Sequence, residues 1–258
     1  MSQAEKAQLL RSLHHGEEPL VLVNVWDVAG AKIVEELGFP AAATASAAIS
    51  ASLGFEDNEE ISRDEMLAVV KRVANAVDIP LTADLEAGYG PTVEDAIATA
   101  RGAIEAGAVG LNFEDSAHKD MSALYDAELQ ASRISAIREI GAQLGIPLVI
   151  NARTDVFFRT ELPEEEKFRD SVRRAKIYLD AGADCIYVLG PTDEDMIARL
   201  VKAIPAPLNM LALPDAPLIA RMADLGVKRI SFGPRPMRLA MTAFREAAQH
   251  VRDLGVFP

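Results

Sequence analysis

Hydrophobic residues fall into eight short continuous runs, and between them lie longer segments in which hydrophobic positions recur at helical spacing. Continuous rather than alternating hydrophobicity is typical of parallel strands that are covered on both faces. The runs are LVLVNV (20–25), AAAT (41–44), LTADL (81–85), AVGLNF (108–113), LVINA (148–152), CIYVL (185–189), LNML (208–211) and RISF (229–232). The pattern therefore predicts eight buried parallel strands that alternate with helices.

Two kinds of sequence signal mark the starts of these runs, and they alternate strictly along the chain. Four runs begin with Pro-Leu, and the other four follow a glycine that closes an amphipathic segment, namely Gly38, Gly107, Gly182 and Gly226. Glycine just after a helix adopts the left-handed conformation at little cost, so each one marks a helix end and the approach of a strand. Eight such units in 258 residues predict a single α/β domain over residues 1–258, a (β/α)8 TIM barrel with a short N-terminal helix.

The segments between the runs carry helix start signals. Segments 61–77 and 92–107 begin with Ser62 and Thr92 as N-caps, each followed three residues later by an acid. Segments 126–145 and 164–182 have apolar stripes at helical spacing.

Composition and charge exclude several classes of partner. A net charge of −13 argues against binding to nucleic acid or to an anionic membrane surface. No apolar run approaches the roughly 18 residues that a membrane span requires. The single cysteine, Cys185, lies in an apolar run and permits no intramolecular disulfide, so we expect an inert buried thiol in a cytoplasmic protein.

Polar residues gather where the predicted strands end. In a TIM barrel the active site is built at the C-terminal ends of the strands, so these residues are candidates for the site. They include Asn24, Thr44, Ser46, Asp84, Glu86, Asn112, Glu114, Asn151, Arg153, Asp155 and Asn209.

The third and fourth strands bring several carboxylates to one rim, among them Asp84, Glu86 and Glu114. Like charges at short distance repel unless a proton or a cation intervenes. An all-oxygen donor set without nearby His or Cys favours Mg²⁺, or Mn²⁺, over zinc. The alternative is that these acids are solvated and cap helix N-termini.

Two further candidates have competing interpretations. Arg153 could bind a substrate carboxylate through its planar fork, or it could form an ion pair with Asp155 or a neighbouring acid. His118 follows the fourth strand and faces the predicted barrel mouth. It is either a catalytic residue of a mobile loop or an ordinary solvated histidine.

Five segments resemble the isocitrate lyase/phosphoenolpyruvate mutase superfamily, and most closely its small phosphonomutase-like members. They are VNVWDVAGAKIVEELGF, ATASAAISASLGFED, LTADLEAGYG, GAVGLNFEDS and INARTDVF, and the resemblance spans about residues 19–240. It implies a barrel enzyme with Mg²⁺ at the strand ends and an enolate of a small α-oxo carboxylate or phosphonate as the intermediate.

The resemblance also implies roles for individual residues. Asp84 would coordinate the metal, and Asp57, Glu86 and Glu114 would act mostly through bound water. Ser46 with the backbone of Ala47 and Ala48 would hold the substrate carboxylate, together with Thr44, Arg153 and Asn209 at the strand ends. Asp57, Arg153 and His118 are then the catalytic candidates. Relatives of this type form tetramers around an exchanged C-terminal helix, so we expect a homo-oligomer, either a dimer or a tetramer.

The sequence departs from the lyases of this superfamily in two places. Residues 116–125 lack the segment that carries the catalytic cysteine of the lyases, and they match the mutase pattern only at Lys119 and Ser122. Val188 occupies the place that we assign to a lyase glutamate. The expected activity is therefore C–C or P–C cleavage on another oxo acid. Phosphonomutase proper and a non-catalytic oxo-acid-binding barrel are the alternatives.

Overall fold

The computed structural model describes residues 1–117 and 123–256, which form a barrel of parallel strands surrounded by helices. Within these ranges every one of the eight apolar runs contains a strand. The strands are β1 Leu20–Leu22, β2 Asn24–Val25, β3 Ala42–Thr44, β4 Leu81–Asp84, β5 Gly110–Glu114, β6 Val149–Thr154, β7 Cys185–Val188, β8 Leu208–Leu211 and β9 Arg229–Ser231. The predicted TIM barrel is confirmed.

The barrel closes through the first apolar run, which divides into two strands. β1 pairs with β9, whereas β2 pairs with β3. The side chain of Asn24 joins the two edges: its amide nitrogen donates to the carbonyl oxygen of Thr44, and its amide oxygen accepts from the backbone nitrogens of Phe232 and Gly233. This buried side chain supplies polar contacts that a continuous strand would otherwise make through its backbone.

Helices follow the strands around the ring, and α1 closes the N-terminal end of the barrel. Ala7 and Leu10 of α1 pack there against Leu20 and Val149. The helices are α1 Gln3–Leu13, α2 Val28–Glu36, α3 Ser46–Leu53, α4 Arg63–Ala74, α5 Val93–Glu105, α6 Ala127–Gln143, α7 Val156–Arg159, α8 Glu164–Asp180, α9 Glu194–Ala203, α10 Ile219–Asp224 and α11 Arg235–Leu254. No helix in residues 1–117 or 123–256 is long and apolar enough to cross a bilayer.

The predicted helix caps are present in the structure. Ser62 forms a capping box with Glu65 at the start of α4, and Thr92 forms one with Asp95 at the start of α5. Each box satisfies two backbone donors that would otherwise lack a partner. The predicted segments 61–77 and 92–107 are therefore right in their starting points and extend two or three residues beyond the observed helix ends.

The hydrophobic core lies between the strands and the surrounding helices. Outward-facing strand residues such as Leu111, Ile150 and Ile186 pack there against helix residues such as Ile134 and Tyr178. Cys185 is buried, and burial raises the pKa of its thiol to about 12, as expected of an inert thiol. Polar side chains that face inward from the strands line the barrel interior, where they build the site.

Candidate active site

A cavity of about 370 Å³ opens at the C-terminal ends of the strands. Eight of the residues to which the resemblance assigns a role line it, which is the arrangement expected for a TIM barrel. They are Thr44, Ser46, Ala47, Asp57, Asp84, Glu114, Arg153 and Asn209. Ala48 and Glu86 do not line the cavity, and His118 lies outside the described residues.

Asp84 ends β4, and its carboxylate is held by donors from Ser46 at the start of α3 and from Asn112 on the neighbouring strand β5. Its Oδ2 accepts hydrogen bonds from the backbone nitrogen and the Oγ of Ser46, both at 2.9 Å. Its Oδ1 accepts from the Nδ2 of Asn112 at 2.8 Å. Three donors suit a carboxylate, which only accepts, and they fix the plane of the group. The polar atoms of Ser46 therefore hold Asp84 in this structure.

Glu86 lies behind the cavity wall and not on it. It is 2% exposed, and its carboxylate accepts from the backbone nitrogen of Glu59 at 2.7 Å and from the hydroxyl of Tyr89 at 3.2 Å. Burial, together with the charges of Asp57 and Glu114, raises the pKa of this carboxyl to about 8. An excess of negative charge therefore surrounds this part of the site.

The backbone around these acids is strained. Asn58, Glu59, Glu86 and Tyr89 all have positive φ, with values of 78°, 61°, 51° and 59°. Non-glycine residues adopt this region rarely, and such strain persists only where surrounding contacts impose it. Alternation along the strand would point the Glu86 side chain into the cavity. Its left-handed backbone instead turns the side chain away from it.

Arg153 forms ion pairs, which was one of the two interpretations that the sequence allowed. Its Nε and Nη2 donate to Asp155 at 2.6 and 2.8 Å, and its Nη1 lies 2.6 Å from Glu114. Burial disfavours the charge, but the two carboxylates outweigh it and raise the pKa of Arg153 above its ordinary value. The guanidinium carries five N–H groups, so these contacts leave two for another acceptor.

The GYG turn, residues 88–90, is built around a buried arginine that the sequence patterns did not single out. Arg133 of α6 donates to the carbonyl oxygens of Ala87 and Gly90, and its guanidinium lies over the ring of Phe113. A Cβ atom at Gly88 would come within 2.7 Å of that ring. The glycine is therefore required for the close packing of the turn.

The assignment of Val188 as a residue that faces the substrate is wrong. Val188 packs into the hydrophobic core outside the barrel, whereas Tyr187 and Leu189 line the cavity. Side chains alternate along a strand, so an error of one position exchanges the two faces. The conclusion that the lyase glutamate is missing is unchanged, because Leu189 lines this part of the cavity wall and carries no carboxylate.

The oxygen donors of the cavity fit a hydrated divalent cation better than one that several side chains bind directly. In the described part of the chain, no three His, Cys, Asp or Glu side chains converge closely enough to coordinate one ion together. However, Asp57, Asp84 and Glu114 all line the same cavity, and Glu86 experiences their charge. Oxygen donors that are separated in this way fit a cation that keeps much of its water, which is the usual habit of Mg²⁺.

Comparison with known proteins identifies the family. The family model for phosphoenolpyruvate phosphomutase matches residues 10–252. The chain belongs to the isocitrate lyase/phosphoenolpyruvate mutase superfamily. Members of this superfamily are lyases, mutases and hydrolases, and the chain is accordingly an enzyme of this superfamily.

Three relatives illustrate the range of the superfamily. A Burkholderia cenocepacia structure, provisionally described as a phosphonomutase, is 40% identical with a TM-score of 0.91 and covers 95% of this chain and 99% of its own. The 2-methylisocitrate lyase of Escherichia coli is 26% identical, covering 98% of this chain and 86% of the lyase. Phosphonopyruvate hydrolase, solved with oxalate and Mg²⁺, is 28% identical with a TM-score of 0.86, covering 97% and 88%.

Proposed function

We propose that this superfamily member is a Mg²⁺-dependent enzyme that cleaves a C–C or P–C bond at the carbon next to the carbonyl of a small α-oxo carboxylate or phosphonate. One observation carries the proposal: Asp57, Asp84, Glu114 and Arg153 line a single cavity at the strand ends. Carboxylates can hold a cation there, and an arginine can orient a substrate anion. Phosphonopyruvate hydrolase, the relative solved with oxalate and Mg²⁺, supports a site that takes a cation and a carboxylate ligand together.

The metal would be held by Asp84, with Asp57 and Glu114 acting through water, and Mn²⁺ is an acceptable substitute. When bound, such an ion supplies Lewis-acid stabilisation of the negative charge that develops on the oxo group. Glu86 is separated from the cavity wall, so its part would be electrostatic. Its pKa of about 8 leaves it largely protonated at neutral pH, and a bound cation would favour its charged form.

The protein's own groups would bind and orient the substrate carboxylate. Arg153 retains two N–H groups beyond its ion pairs with Asp155 and Glu114. Ala47, the second residue of α3, lines the cavity, and its backbone N–H has no carbonyl partner within the helix. Both groups donate hydrogen bonds, which suits a carboxylate. Thr44 and Ser46 would act indirectly, since both contact Asp84.

Phosphonomutase proper is the second candidate. The matching family model is that of phosphoenolpyruvate phosphomutase, and the B. cenocepacia relative points the same way. The cavity also contains Arg159 and Arg238, which could contact a phosphonate. A non-catalytic oxo-acid-binding barrel fits less well, because binding an anion alone does not require the acids Asp57, Asp84 and Glu114.

Calorimetry with oxalate, a mimic of the pyruvate enolate, tests the proposed metal site. We expect tight oxalate binding only with Mg²⁺ present and its loss in Asp84→Asn. Equal affinity with and without Mg²⁺ would refute the metal-dependent function. Incubation with phosphonopyruvate, followed by ³¹P NMR, then distinguishes the reactions. Release of inorganic phosphate indicates P–C hydrolysis, and conversion to a phosphate ester indicates the mutase.

We infer further that copies of the chain associate through α11. This helix has one buried residue, Met237, among its 20. Its exposed side chains include Leu239, Phe244 and Leu254, which are 70%, 69% and 67% exposed. A helix with so wide an apolar face normally packs against another surface. A second copy is the occupant expected from the oligomers of relatives.

A further inference from the structure

A row of three side chains crosses the barrel interior along the wall of the candidate site, and all three line its cavity. Asp84, Asn112 and Asn151 lie on the adjacent strands β4, β5 and β6 and are register partners. The Nδ2 of Asn151 donates to the Oδ1 of Asn112 at 2.9 Å, and the Nδ2 of Asn112 donates to the Oδ1 of Asp84 at 2.8 Å. Hydrogen bonds therefore run in one direction along the row and end on the carboxylate.

The carboxylate sets the direction of this row. A carboxylate only accepts, so Asn112 must turn its NH₂ group toward Asp84 and its oxygen toward Asn151. Asn151 must then present its own NH₂ group. If both amides were reversed, the oxygen of Asn112 would face the oxygen of Asp84. The amide assignments, which density alone leaves ambiguous in most structures, thus follow from the chemistry.

The far end of the row argues against a purely structural purpose. Asn151 is fully buried, and its Oδ1 has no hydrogen-bond partner. An unsatisfied buried oxygen destabilises the folded protein. An apolar residue at position 151 would remove that cost. An asparagine is explained if its donor is needed to orient Asn112.

The opposite side of Asp84 is fixed as well. Ser46 donates two hydrogen bonds to Oδ2, while Asn112 holds Oδ1. The carboxylate thus has a defined plane before any ligand arrives. A group that is ordered in advance loses less conformational entropy when it binds, and partners of metal ligands commonly act in this way.

We propose that Asn112 and Asn151 are positioning residues that orient the Asp84 carboxylate for metal binding. Asn112 acts directly on Asp84, and Asn151 acts through Asn112. This inference rests on the proposed function, because it assigns a metal to Asp84. It concerns residues that the sequence marked only as polar strand ends.

The test compares Mg²⁺ affinity, measured by calorimetry in the presence of oxalate, in Asn112→Ala, Asn151→Ala and the double variant. We expect Asn112→Ala to weaken Mg²⁺ binding by about 10–100-fold, the usual effect of removing a partner of a metal ligand. Asn151→Ala should weaken it less. The double variant should match Asn112→Ala, because Asn151 has no route to Asp84 once Asn112 is removed.

Thr82→Val is the matched control. Thr82 lies two residues before Asp84 on β4, is buried, and has a hydroxyl without a partner. The Thr82→Val variant should bind Mg²⁺ as the wild type does. Thermal unfolding verifies that each variant is folded. If Asn112→Ala does not fold, the Mg²⁺ affinities of Asn151→Ala and Thr82→Val are compared instead. Asn151→Ala leaves the direct contact between Asn112 and Asp84 in place, so a weaker affinity than that of Thr82→Val would still support the positioning role.

The possible failures are distinguishable. If the wild type binds Mg²⁺ and folded Asn112→Ala binds it equally well, the positioning role is wrong and the proposed function stands. If the effects of the two substitutions multiply in the double variant, Asn151 does not act through Asn112. If the wild type shows no Mg²⁺-dependent oxalate binding, the proposed function fails, and with it the role of both asparagines.

Discussion

Arg153 and Asp155 form a two-point ion pair across the end of one strand. The Nε of Arg153 donates to one carboxylate oxygen of Asp155 at 2.6 Å, and the Nη2 donates to the other at 2.8 Å. Asp155 is fully buried and also accepts from the hydroxyl of Ser116 at 2.5 Å. The pair therefore fixes the guanidinium, and with the contact to Glu114 it uses three of its five N–H groups.

We predict that Arg153→Lys weakens oxalate binding in the presence of Mg²⁺ by at least about tenfold. A lysine cannot span Asp155 and Glu114 and still donate to a substrate, because it lacks the planar fork. Calorimetry measures the change. Arg173→Lys, which alters an exposed pair with Asp170, is the control and should have no effect. Unchanged affinity in Arg153→Lys would show that Arg153 forms its ion pairs but does not bind the substrate carboxylate.

The second prediction concerns acid stability and His14. His14 is buried at the barrel floor, and its Nε2 accepts from Arg229 at 3.3 Å while its Nδ1 donates to the carbonyl of Leu10. Burial, together with the charge of Arg229, lowers the pKa of His14 from 6.5 to about 3. The unfolded chain therefore takes up this proton first as pH falls.

The sign follows from that difference in pKa. The contribution is absent above about pH 6.5, and below it the free energy of unfolding falls by at most about 1.4 kcal/mol per pH unit until the pH nears 3. His14→Gln should remove this component, because glutamine does not titrate and its oxygen can accept from Arg229. Urea titrations of both proteins between pH 7 and pH 4 measure it. Parallel pH profiles would contradict the buried neutral histidine.

The third prediction is that the protein does not act as an efficient isocitrate or methylisocitrate lyase. Residues 116–125 contain no cysteine to supply a proton, and Leu189 presents an apolar side chain to the cavity. General acid catalysis contributes about 10²–10⁴-fold, so its loss would be severe. Release of glyoxylate or pyruvate is the assay. Turnover of about 1–10³ per second would refute the prediction and indicate His118 as the proton donor.

The fourth prediction concerns association through α11. Phe244→Asp places a charge on the exposed apolar face of this helix and should shift the protein toward a smaller species in light scattering coupled to gel filtration. Gln249→Asp adds the same charge at a polar position of the helix and serves as the control. If both variants keep the wild-type mass, or if the wild type is a monomer, α11 is not the interface.

The sequence predicted the strands well because both faces of a parallel strand are buried and leave a continuous apolar run. The same property hid the direction of individual side chains. Val188 and Leu189 are both apolar, so nothing in the sequence showed which of them faces the cavity. Glu86 was misplaced for a different reason, since its left-handed backbone breaks the alternation along the chain.

Other parts of the site depend on contacts between distant segments. Arg133 supports the GYG turn from a helix 43 residues further along the chain. Asn112 and Asn151 were visible as polar strand ends, but their order in a hydrogen-bonded row required the register of three strands. A polar residue at the same level on adjacent strands is the signal that could have identified them.

The closure through Asn24 has a consequence for the order in which the barrel assembles. Its bond to Gly233 joins residues 209 positions apart, whereas the bond between Asp84 and Asn112 spans 28. Bringing distant segments together loses more chain entropy than joining near ones. We therefore expect neighbouring strands to pair first and the contact between β1 and β9 to form last. Pulse-labelling hydrogen exchange, with protection of β9 appearing after that of β4–β6, would show the ring closing at this point.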